Sequence, residues 1–105
     1  MNSTLHRDIA AEFGAVLADG ARALAYRHRN IEPYIDRYGK VILDFSGVRT
    51  SNSSFMNALV SGVIEQHGQP VLNKLVFKGC KPTVRVFVES AIELGLQKKS
   101  ELLAA

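Results

Sequence analysis

The chain has 105 residues, 47% of them apolar and 22% charged. That length fits one domain, residues 1–105, with a core of its own, and the composition excludes a disordered chain. Thirteen basic and ten acidic residues leave a net charge of +3, too small to imply nucleic acid, and no apolar run is long enough to cross a bilayer.

The first predicted element is a strand over Asp8–Phe13, where Ile9, Ala11 and Phe13 alternate with polar or small residues. An Asp19-Gly20 turn follows, then a helix after Ala21. In it Leu24, Ile31, Ile35 and Tyr38 share one face, and Pro33 kinks the helix or begins a new turn. Past the Tyr38-Gly39 junction, Val41–Phe45 is a short apolar run of the kind buried in a parallel sheet. A helix opens after Asn52, with Phe55, Met56, Leu59, Val60, Val63 and Ile64 as its apolar face, and ends near His67 with Gly68 as its cap. Lys74–Lys78 is a further strand. The segment after Pro82 alternates like a strand at Val84–Val88. Yet Val84, Phe87, Val88, Ala91, Ile92 and Gly95 also fit a helix, and helix is the reading adopted. The resulting β-α-β-α-β-α order predicts an α/β domain, with a mostly parallel or mixed sheet and flanking helices.

The stretch from Asp44 to Phe55 carries the most information. A buried strand ends in an aspartate, a short loop follows, and Ser51-Asn52-Ser53-Ser54 opens an amphipathic helix. The unpaired N–H groups and the macrodipole at such a helix start favour an anion. Ser and Asn are also ordinary N-cap residues, and capping explains one or two of this run. A phosphoserine here would bring about −2 charge to waiting donors. The residues alone leave both readings open and put capping first.

Asp44-Phe45-Ser46-Gly47-Val48, four residues, and then Ser53-Ser54 resemble the signature of the STAS domain. That pattern reads Asp-Leu-Ser-Gly-Val, three residues, then Asp-Ser-Ser-Gly-Leu. The resemblance to its anti-sigma-factor antagonists implies a protein-binding module that is switched by phosphorylation of Ser54. Its partner and kinase would be a histidine-kinase-type ATPase or an anti-sigma-like protein. Asn52 stands at the acidic position of the pattern and Phe55 at its glycine. A second resemblance, covering about residues 6–98, is to small bacterial STAS-like proteins of unknown function. It rests on the Asp19-Gly20 turn, the strand ending at Phe45, Ser53-Ser54-Phe55-Met56 and Ser61-Gly62-Val63. It implies architecture more than activity.

Other residues have plainer readings. Asp44 lacks a second carboxylate at a useful spacing and is expected to hold the Gly47–Arg49 loop as an Asx-type turn. His6, His28 and His67 show no zinc spacing. His28 is expected to be partly buried, and His67 to sit at a helix C-terminus. Cys80 lies between Lys78 and Lys81, which would lower its pKa, but a packed thiol is the preferred reading. It cannot pair internally, which fits a reducing cytoplasm. Asp8 and Glu12 argue against a secretory signal. The basic stretch Lys74, Lys78, Lys81 and Arg85 reads as a solvated rim.

The expectation is therefore a non-enzymatic, cytoplasmic interaction module without metal or cofactor. Its contact surface would run from Arg49 to Met56 through Asn52, Ser53, Ser54 and Phe55, beside Asp44. Phe55 and Met56 are expected to be exposed for the partner. One rival is a phosphate- or nucleotide-binding domain that uses the same helix start with Arg49 and Lys81. Another is a structural homodimer.

Overall fold

The computed structural model describes residues 3–104, with side chains as far as residue 102. Strand β1 (Thr4–Asp8) buries Leu5 and exposes Thr4, His6 and Asp8. It lies earlier than expected. The Asp8 carboxylate accepts from the Ala11 amide at 3.1 Å and starts helix α1 (Ile9–Phe13). An aspartate cap with Ala10 and Ala11 in the first turn outweighs the alternation of Ile9, Ala11 and Phe13, so Ile9–Phe13 is helical rather than a strand and only Asp8 of the expected span ends one. Gly14, at φ 81°, ends α1.

Strand β2 (Val16–Leu17) leads into α2 (Gly20–Asn30), which Asp19 caps through the Arg22 amide. The predicted face of this helix is corrected. The helix stops at Asn30, and Pro33 lies in a separate 3-10 turn, Glu32–Tyr34. Leu24 is exposed, whereas Ala23 and Arg27 point inward. Ile31 and Ile35 do reach the core, but from beyond the helix. His28, next to the inward Arg27, is exposed instead of partly buried.

Strand β3 (Lys40–Asp44) pairs in parallel with β1 on one side and with β5 (Leu75–Lys78) on the other. The sheet order is β1-β3-β5. A second, two-stranded parallel sheet joins β2 to β4 (Thr50–Ser51). The parallel α/β reading holds; the two-residue strands are too short to leave a periodic signal.

The helix after Asn52 runs as α3 (Ser53–Met56), a π-helical turn (Asn57–Ser61) and α4 (Gly62–His67). All six residues of its expected apolar face are buried. Gly68 caps it at φ 75°, its N–H bonded to the Ile64 carbonyl at 2.7 Å. Arg27, only 6% exposed, accompanies the π turn: its Nη1 donates to the Ala58 carbonyl at 2.7 Å. Helix α5 (Pro82–Ala104) confirms the helical reading of the last segment and buries Val84, Val88 and Ala91. The Ser61 hydroxyl donates to the Ala91 carbonyl at 2.6 Å, and Gly95 lets α5 approach Ile64 closely.

Candidate functional site

Strand β3 delivers Asp44 to the carboxyl end of the sheet, where ligands and partners collect in parallel folds. Asp44 Oδ1 accepts from the Ser46 amide at 2.9 Å and from its hydroxyl at 2.6 Å. The turn it holds is thus at Ser46, not at Gly47–Arg49. The carboxyl is held below its ordinary pKa by the Ser46 hydroxyl first and the Ser46 amide second, with smaller help from Lys78 and His6. His6 Nε2 lies 3.2 Å from Oδ2 and Lys78 Nζ 4.0 Å from it. Gly79, at φ 70°, closes over the same turn, and a Cβ there would overlap the Ser46 side chain. This arrangement locks a loop. It does not form a Ser-His-Asp relay, because the carboxylate separates the other two groups.

The loop then turns back toward β2. The Arg49 amide donates to the Ala15 carbonyl at 2.8 Å, and Thr83 Oγ1 donates to the Arg49 carbonyl at 3.0 Å. Lys81 Nζ lies 3.3 Å from the Val48 carbonyl. The lysine expected to help hold a ligand phosphate is therefore engaged with the backbone.

Asn52 is the centre of the helix start. Its Oδ1 accepts from the Phe55 amide at 2.8 Å as the N-cap of α3, and its Nδ2 donates to the Ala18 carbonyl at 3.0 Å. Both halves of the amide are used, and they tie the start of α3 to the turn before α2. The two helix starts touch: a Cβ on Gly20 would overlap Ser54 Oγ. Ser53 and Ser54 are exposed.

Phe55 and Met56 are corrected here. Both are fully buried, and the Phe55 ring meets Phe13 edge-on with centroids 4.8 Å apart. They follow the exposed serines by one and two residues, and the helical turn carries them onto the core side. The accessible patch is therefore Arg49, Thr50, Asn52, Ser53 and Ser54, without Phe55 or Met56. Ala18 and Gly20 join it from the α2 side. The Asp19-Gly20 pair is visible in the sequence as a turn, but nothing there announces its contact with Ser54.

The remaining candidates keep structural roles. Cys80 is half-buried, and burial pushes its thiol pKa up despite Arg85; the flanking lysines do not activate it. In the basic stretch, Lys74 Nζ donates to the Ile35 carbonyl at 2.7 Å, so two of its lysines bond to backbone and Lys78 stands near Asp44. His67 ends α4, with Nε2 3.3 Å from Glu32 Oε1. Among the described residues, no group of three or more His, Cys, Asp or Glu side chains could hold a metal ion.

The search of curated proteins and the search of solved structures found no match. The model of one family, described as a STAS-like domain of unknown function (DUF4325), matches residues 27–85, more than half of the chain. That span includes the Asp44–Ser46 turn, the Asn52 cap and both exposed serines, and by this match the chain belongs to the STAS-like family.

Proposed function

We propose that the chain is a non-enzymatic regulatory module that binds a protein partner through the patch from Arg49 to Ser54 and the adjoining Ala18–Gly20 turn. The observation that carries this reading is the contact between Ser54 and Gly20. It puts a modifiable hydroxyl, exposed at a helix start, against the start of a second helix. A phosphate on Ser54 would add about two negative charges and three acceptor oxygens at a point with no spare room toward Gly20. It would also stand near the Asp19 carboxylate that caps α2. Ser54 modification would therefore reshape the patch and weaken binding, while the buried Phe55 keeps the helix in place.

The partner class is an ATPase of the histidine-kinase type, which would also be the kinase. Support for it is the resemblance of the Asp44–Val48 and Ser53-Ser54 pattern to that of the anti-sigma-factor antagonists, on the STAS-like domain that the family match shows. The test is phosphopeptide mass spectrometry on the protein purified from its native host. Trypsin releases Thr50–Lys74 as one peptide holding every serine of the helix start. Phosphate on Ser54 or Ser53 is the expected result. An unmodified peptide under every growth condition tried would contradict the switch.

A further inference from the structure

Helix α4 ends where Gly68 takes φ 75°, and Pro70 helps to turn the chain into a 3-10 segment, Gln69–Asn73. Helix α5 does not follow that turn. Gly95 lets it lie close against Ile64, and it runs on past this contact through Ser100. The diverging segments leave a cavity of about 380 Å³ between them, within the range of about 300–1,000 Å³ usual for small-molecule sites. Thr83, which bonds to Arg49, lies near the start of α5. Leu96, in the cavity wall, is roughly 20 Å further along the helix. The cavity is thus separate from the Arg49–Ser54 patch.

Its walls divide by chemistry. Leu96 and Pro70 are apolar, and Leu96 packs on the core. Lys99, Ser100, Gln69 and His67 bring polar groups. The Lys99 stem passes over the Gly68 turn, with Cε 3.5 Å from where a Cβ on Gly68 would stand. Among the described residues Lys99 forms no ion pair, and no carboxylate lines the cavity. His67 is engaged on one edge only. Its Nε2 is buried 3.3 Å from Glu32 Oε1, and neither atom makes a hydrogen bond. The nearby carboxylate favours a proton on Nε2, which leaves Nδ1 as the ring nitrogen free for a ligand.

We propose that this cavity binds a small monocarboxylate with an apolar tail. The one fixed positive charge, on Lys99, matches one negative charge. A phosphate dianion asks for more, usually a forked arginine or several charge-assisted donors. The carboxylate meets the Lys99 ammonium, with further donors in Ser100 and Gln69, and the tail lies on Leu96 and Pro70. Such a ligand clamps the end of α4 to the end of α5. The same chemistry occurs in a free short-chain acid and at the C-terminus of an apolar peptide. This inference does not rest on the partner reading above.

Amide NMR of the full chain, titrated with hexanoate, 1-hexanol or inorganic phosphate, is the test. Hexanoate should shift the amides of Gly68, Gln69, Leu96, Lys99 and Ser100 and saturate below about 50 mM, as a weak small-ligand site does. Hexanol and phosphate should each bind at least about fivefold more weakly, because one lacks the charge and the other the tail. Lys99→Met should weaken hexanoate at least about fivefold. Lys98→Met, an exposed neighbour outside the cavity, should leave it unchanged. N-acetyl-leucine distinguishes the sources: tighter binding than hexanoate assigns the site to a peptide C-terminus, weaker binding to a free acid. Shifts that do not saturate or that fall elsewhere would overturn the inference. So would hexanol or phosphate binding as tightly as hexanoate, or equal effects of Lys98→Met and Lys99→Met. The hexanol comparison on the parent chain decides the matter if Lys99→Met fails to fold.

Discussion

Arg27 and Gly62 share one space: the Arg27 guanidinium lies where a side chain on Gly62 would start, and from there Nη1 reaches the Ala58 carbonyl at 2.7 Å. The contact joins α2 to the π-helical turn, and among the described residues no carboxylate pairs with the buried guanidinium. Gly62→Ala forces the guanidinium out and should destabilise the domain by about 1–3 kcal/mol, the range for overpacked sites. Urea unfolding measures it. A variant as stable as the parent would show that Arg27 has a second low-energy position.

Asn52 stands where the STAS signature that this stretch resembles has an aspartate, and the structure gives a physical reason for the amide here. Its Nδ2 donates to the Ala18 carbonyl while Oδ1 caps α3. Asn52→Asp keeps the cap and gains the dipole interaction, yet it sets a carboxylate oxygen against a carbonyl. The expected outcome is a net loss of about 1 kcal/mol by thermal or urea melting, the scale of one hydrogen bond. A gain in stability would contradict the bridge between the two helix starts.

Phe55 belongs to the core, so its removal should act on folding rather than on binding alone. Phe55→Ala should cost about 3–5 kcal/mol, with loss of the edge-on contact to Phe13. Chemical denaturation would read this directly. A cost below about 1 kcal/mol would be that of an exposed side chain and would restore the expected contact role.

Asp44 sets part of the acid limb of stability. Its folded pKa is depressed, chiefly by the Ser46 hydroxyl, so the unfolded chain binds the proton more readily. The contribution is fully present above the ordinary carboxylate value of 3.8 and is lost as pH falls through the lower folded value. Asp44→Asn should therefore flatten the fall in stability below about pH 4, followed by urea midpoints across that range. Ser46→Ala should reduce the same slope. An unaltered slope in both variants would mean that other carboxylates set the limb.

Much of this fold is legible in the sequence because the relevant signals are local. The run from Val41 to Phe45, the apolar face from Phe55 to Ile64 and the Gly68 cap each announce themselves within a few residues. The missed features depend on contacts across the chain. The phase of α2 is set by Arg27 reaching a carbonyl 31 residues away, which puts Leu24 outside. At the candidate site, the serines and the Asn52 cap are visible in the sequence. The partition that exposes Ser53 and Ser54 and buries Phe55 and Met56 needs the direction of the helix relative to the core. The Gly20 contact is invisible for the same reason.

The central claim is that the Arg49–Ser54 patch binds a partner and that charge at Ser54 controls it. The most direct measurement is recovery of bound proteins from the native host by tagged Ser54→Ala and Ser54→Asp variants, with quantitative mass spectrometry and matched thermal melts. The account predicts an ATPase of the histidine-kinase class retained by Ser54→Ala and depleted at least about tenfold, near 1.4 kcal/mol, with Ser54→Asp. Equal recovery of that ATPase by both variants, or its absence from both, would contradict it.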